Sequence, residues 1–147
     1  MNPFENESLE FLLSQVIRMH HNRTQELLNQ FNLYPGQPRI LFMLIHRDGR
    51  TQKEFADASG VKAATITVTL RRMEKAGLIE RRPDSADLRV TRVFITPKGV
   101  ATAKKARTTI DQLSEACFTG FNDTDKALMR RFLLQMRDNL QLNCSPK

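Results

Sequence analysis

Ala64, Thr67, Val68 and Arg71 recur at three- and four-residue spacing, which places them on one side of a helix. Ile66, Leu70 and Met73 recur on the other side, as the stripe that a helix buries. The first face is small, hydroxylated or basic, and no carboxylate follows Lys62 until Glu74. Such a face can approach a polyanion and still offer hydrogen-bond donors to base edges. It is the chemistry of a helix that lies in a DNA groove.

A short helix precedes it. Thr51 and Glu54 stand three apart, so each side chain can reach a backbone N–H of the other, a capping box that opens a helix. Phe55 and Ala56 give that helix its apolar face, and Gly60 falls where the chain must turn sharply. Two helices around a tight turn make a helix-turn-helix, with the second as the reader of the major groove. Lys62 and Ala63 stand where a hydroxyl cap is usual, which predicts a weakly capped start for the reader. Beyond it, Gly77 terminates the helix and Leu78-Ile79 begins a strand. Glu80 to Arg89 reads as a polar loop, and Val90 to Thr96 as a second strand, a two-stranded wing.

The segments TQKEFADASGV and TITVTLRRMEKAGLIERR, then Asp84, Asp87 and Arg89 as D-x-x-D-x-R, then ITPKG at Ile95 to Gly99, occur in order. Together they resemble the MarR family of bacterial transcriptional regulators. The likeness runs in detail from Pro35 to Gly99, and the flanking helices agree in length and pattern. It implies a mainly α fold, a winged helix-turn-helix with a helical dimerisation region from both termini. The whole of 1–147 is expected to form one domain, with 5–34 and 97–142 as dimerisation helices around 35–96. The resemblance also implies a homodimer on a palindromic double-stranded operator, expected to repress a promoter by occluding it. It further implies a small anionic or aromatic effector, held between the dimer region and the winged helix.

On that reading Thr65, Thr67, Val68 and Arg71 face base edges, and Thr51, Gln52, Lys62 and Arg72 hold phosphates. Arg89 enters the minor groove, oriented by Asp87, and Arg81, Arg82 and Arg92 lie along the flanking backbone. Val68 departs from the family pattern, standing where a longer polar or basic side chain is common. A valine makes no hydrogen bond to a base, though it can touch a thymine methyl.

Charge supports a polyanionic partner. The 147 residues carry a formal net charge of +7, and nine Lys and Arg against four Asp and Glu between Lys62 and Lys98 supply +5 of it. An anionic membrane surface would also suit that charge, but the helix-turn-helix favours DNA. A nonspecific architectural DNA-binding protein is the alternative, keeping the charge and losing the discrimination. The acidic start lacks the pattern of a secretory signal, and no run approaches the ~20 apolar residues of a membrane span, so a cytoplasmic protein is expected.

An enzyme is not expected. There is no nucleophile elbow, no phosphate-binding glycine loop and no paired carboxylates placed in a cleft. No cofactor or metal is expected, because His20, His21 and His46 lack partners at ligand spacing. One tyrosine and no tryptophan argue against a stacking platform for single strands. Family members that sense peroxide carry a reactive cysteine in the first helix, and none stands there; Cys117 is expected inward on an apolar face, and Cys144 in a loose tail.

The flanks read as long helices. Residues 5–31 carry Leu9, Leu13, Val16, His20, Leu27 and Phe31 at helical spacing, and Gln37 to His46 is a short apolar helix. Thr96-Pro97 starts a helix to about 119, with Val100, Ala103, Ile110 and Leu113 inward. A last helix over 124–142 carries Leu128, Phe132, Met136 and Leu140 at strict four-residue spacing. So much apolar surface at the ends of a small domain predicts a partner chain.

Overall fold

The structure, a computed structural model, describes residues 8–143; Cys144 and the tail after it lie outside the described residues. Among the described residues, six helices and three short strands follow one another. Helix α1 spans Leu9–Asn29, with Ser8 Oγ accepting the Phe11 N–H at 3.2 Å. It stops two residues before the expected end. Asn32 adopts a left-handed conformation (φ 53°), and the Leu33 N–H turns back to the Leu28 carbonyl at 3.2 Å, sealing both leucines in the core. Helix α2 (Gln37–His46) enters through Gly36 and Pro38 and buries Ile40, Leu41 and Leu44.

The capping box forms as expected: Thr51 Oγ1 accepts the Glu54 N–H at 3.3 Å, and Glu54 Oε2 accepts the Thr51 N–H at 2.7 Å. It opens α3 (Gln52–Ser59), which buries Phe55. Helix α4 (Ala63–Lys75) buries Ile66, Leu70 and Met73, the whole expected stripe. Its N-cap residue, Lys62, makes no capping hydrogen bond. At the other end Gly77, at φ 73°, donates to the Glu74 carbonyl, and Leu78 N–H donates to that of Met73. This paired closure needs a left-handed residue, which glycine supplies without a Cβ penalty.

Two strand assignments differ from the expectation. Arg50–Thr51, where no strand was expected, forms a short strand β1, so the sheet has three strands rather than two. Its antiparallel order is β1-β3-β2, with β2 at Ile79–Pro83 and β3 at Thr91–Ile95. Glu80 to Pro83, read as loop from its charge, is therefore strand, and Val90 is loop. The register explains why: Arg81 pairs with Val93 and Arg82 with Arg92, an edge strand whose charged side chains sit outside the core while its backbone completes the ladder. Pro83 closes the strand at its end, where a missing N–H is tolerated.

Helix α5 (Pro97–Cys117) begins with Thr96 Oγ1 accepting the Gly99 N–H at 3.0 Å. A Cβ on Gly99 would lie 2.1 Å from the Leu78 carbonyl oxygen, so only glycine lets α5 start against the wing. Ala103 and Ala106 are the side chains α5 buries; Cys117, expected inward, is exposed. The chain divides within α5 into two compact units, residues up to Ile110 and residues from Asp111 on. All the core named above belongs to the first. In the second, Asn122 and Asp125 cap α6 (Asp123–Asn143) reciprocally at 2.9 and 3.0 Å, and Phe118 meets Phe121 edge to face at 5.6 Å.

Candidate nucleic-acid interface

With Ile66, Leu70 and Met73 packed inward, the 3.6-residue turn aims Ala64, Val68, Arg71 and Lys75 directly outward on α4. All four are exposed, with Thr65 and Arg72 beside them. The side chains of Arg71, Arg72 and Lys62 form no hydrogen bond or ion pair among the described residues. The helix thus presents cations to whatever approaches it. The nearest carboxylate, Glu74, is taken: Arg81 donates to its Oε2 through Nε at 2.8 Å and Nη2 at 2.5 Å. That pair draws the Glu74 carboxyl below its usual range, keeps it ionised and neutralises it beside the outward face of α4.

Other expected contacts are engaged inside the protein. Gln52 Nε2 donates to Thr67 Oγ1 at 2.5 Å and to the Ala63 carbonyl at 3.5 Å, joining the start of α3 to the start of α4. Thr67 Oγ1 in turn donates to the Ala63 carbonyl at 2.9 Å. Thr51 is committed to the capping box, whose Glu54 is also paired by Arg47. The Thr51 N–H and then Arg47 hold the Glu54 carboxyl low, so the cap stays charged.

The wing has an internal frame that the sequence reading did not find. Asp84 is buried and accepts the Ala86 and Asp87 N–H groups at 2.8 and 3.0 Å as well as the Arg92 guanidinium. Arg92 Nη1 donates onward to the Gly49 carbonyl at 2.8 Å, fastening the wing to the turn before β1. The Arg92 guanidinium, followed by the two N–H groups, lowers the Asp84 carboxyl to about 2. Arg82 pairs with Glu80 at 2.6 Å and lies 5.2 Å from the Phe94 ring centre. At the tip Asp87 holds Arg89 through three bonds: Nε at 3.0 Å, Nη2 at 3.3 Å and the backbone N–H at 3.0 Å. Leu88 beside it is 80% exposed, a residue that attention to charge alone passes over.

A groove of about 790 Å³ lies between α2 and α5 in the first unit. Phe42, Ile45, Val100 and Ala103 line it, with His46, Lys104 and Arg107 among its polar groups. The Arg107 guanidinium lies 5.8 Å from the Phe42 ring centre.

A helix-turn-helix followed by a β-ribbon wing defines a winged helix-turn-helix fold. Residues 33–91 match the model of the MarR family. The chain is 29% identical over 136 residues to the uncharacterized HTH-type transcriptional regulator YwoH of Bacillus subtilis, covering 90% of this chain and 98% of that one. It is 26% identical to the HTH-type transcriptional repressor IacR of Pseudomonas putida, over 94% and 83% of the two chains. The S. aureus MepR–DNA complex shares the fold with a TM-score of 0.81 at 21% identity, over 91% of this chain and 99% of that one.

Proposed function

We propose that this chain is a MarR-type transcriptional regulator, a homodimeric repressor that binds a palindromic operator in a sequence-dependent way. The observation that carries the reading is the outward face of α4, free of available carboxylate and rich in cations without internal partners. Thr65, Thr67, Val68 and Arg71 meet base edges, while Lys62 and Arg72 meet phosphates. Thr51 and Gln52 set the height and tilt of α4 and contribute to the phosphate surface from α3. Arg89 reaches the adjacent minor groove, aimed by Asp87, and Arg81, Arg82 and Arg92, paired with Glu74, Glu80 and Asp84, lie along the flanking backbone. The protein then works where the chromosome is, in the cytoplasm.

The dimer reading is supported by apolar side chains that one chain leaves exposed: Leu12, Val16 and Ile17 on α1, and Leu128, Phe132, Met136 and Leu140 on α6. The repressor reading is supported by the naming of IacR. Two recognition helices about 34–36 Å apart would read half-sites one helical turn apart and occlude a promoter. The groove between α2 and α5 suits a small aromatic anion, with apolar walls for the ring and Lys104 and Arg107 for the charge. Such a ligand would act by favouring the non-binding spacing of the recognition helices. Selection from a random duplex pool, then footprinting, tests the proposal. A palindromic footprint is expected; equal affinity for selected and random DNA would leave only architectural binding.

A further inference from the structure

We infer that the N-terminal half of α4 reads its operator through thymine methyl groups, with Val68 as the central contact. The inference rests on α4 being the major-groove helix and adds what that helix recognises. N-terminal residues of a recognition helix are those that reach base edges. On α4 the outward ridge there is Ala64 and Val68, both exposed, Val68 at 46%. Neither side chain can donate or accept a hydrogen bond.

Thr67 looks from its residue type like a polar reader, but its hydroxyl is occupied. Its proton goes to the Ala63 carbonyl at 2.9 Å, and its oxygen receives Gln52 at 2.5 Å. What Thr67 has left to offer a base is its methyl group and one lone pair, with no proton to donate. Gln52, the one long amide that could have reached a base from α3, has its Nε2 donors engaged there, with Thr67 and the Ala63 carbonyl. The polar readers that remain are Thr65, whose hydroxyl forms no hydrogen bond among the described residues, and Arg71, one turn further along.

The major-groove edge of DNA carries one apolar group, the C5-methyl of thymine. An apolar ridge seated there therefore discriminates thymine from cytosine by contact rather than by hydrogen bonding. Ala64 and Val68 are separated by about 6 Å along the helix axis. Base pairs are stacked about 3.4 Å apart. The two side chains thus address positions about two steps apart, and each half-site should hold thymine methyls, on either strand, at that interval.

The test uses the full chain and a duplex selected by it from a random pool. Each thymine is replaced in turn by deoxyuridine, which removes only the methyl, and affinity is read by fluorescence anisotropy. Loss of about fourfold is expected at the contacted thymine, the factor that one buried methyl supplies. Val68→Ala, which keeps an exposed helical site and a good helix former, should bind thymine and uracil duplexes alike at that position. Arg71→Ala should keep the methyl dependence. Comparing the four protein and DNA combinations separates contact from any change in the DNA itself. Uracil duplexes bound as tightly as thymine duplexes at every position, or a methyl dependence unchanged in Val68→Ala, would overturn the inference. Failure to select any duplex above random DNA would instead remove the sequence-dependent reading beneath it.

Discussion

Helices α4 and α6 carry the same kind of signal, apolar residues at three- and four-residue spacing, and meet opposite fates. On α4 the stripe is sealed, with Leu70 and Met73 fully buried against α3 and the sheet. On α6 no side chain is buried, and Phe132 in the middle of its stripe is 51% exposed. The periodicity of a helix states which face wants burial. It does not state who provides the cover. For α4 the same chain provides it, which leaves the opposite face free for DNA. For α6 no described residue provides it, and the proposed dimer would supply it from a second copy.

The sharpest way to break this contrast is on α6. Leu128→Asp with Phe132→Asp should yield a monomer by sedimentation with helix content retained, and weaken operator binding by about a hundredfold or more as joint reading of half-sites is lost. A dimer that survives both charges would place the interface elsewhere. The reciprocal change is on α4: Leu70→Ala should cost about 2–5 kcal/mol in urea unfolding, a cavity in a closed core. That cost should be the same at all protein concentrations, whereas the cost of Leu128→Ala should grow with concentration, from near zero where both proteins are monomeric to a plateau where both are dimeric.

The outward face of α4 gives a smaller effect. Arg71→Ala should lose about 1–3 kcal/mol of discrimination between operator and mutated operator while the dimer mass stays unchanged. Equal weakening on all DNA would make Arg71 a phosphate contact.

The wing extends the comparison, since its acids brace cations instead of meeting DNA. Arg89→Ala should weaken operator binding by about tenfold without lowering the melting temperature, if its charged hydrogen bonds reach DNA. Asp87→Ala should weaken it too, although it removes a negative charge; tighter binding would show that Asp87 only repels. Asp84 acts on stability and gives the smallest effect. Its carboxyl sits at about 2 when folded, below the ordinary 3.8, so its pairing stabilises the fold at every pH above about 4. That contribution fades as pH falls through about 2. Asp84→Asn should therefore melt below the wild type at neutral pH and converge with it in acid, as circular dichroism against pH would record.

The helix-turn-helix could be read from the residues because each of its signals is local. The Thr51–Glu54 box, the Gly77 stop, the Thr96-Pro97 start and the Ile66-Leu70-Met73 stripe each act within a few residues of chain, and spacing alone determines them. The pairing of Asp87 with Arg89 was within reach for the same reason. Tertiary structure decided what depended on distant partners. Arg92 reaches across 43 residues to the Gly49 carbonyl, and no local pattern marks Arg50 and Thr51 as a strand until β3 arrives beside them. Gln52 is 15 residues from Thr67, so only packing shows that the donors of both are engaged inside the protein and that the outward ridge beside them is apolar. Residue type lists what a side chain could bind, and the fold determines which of those capacities remain unused.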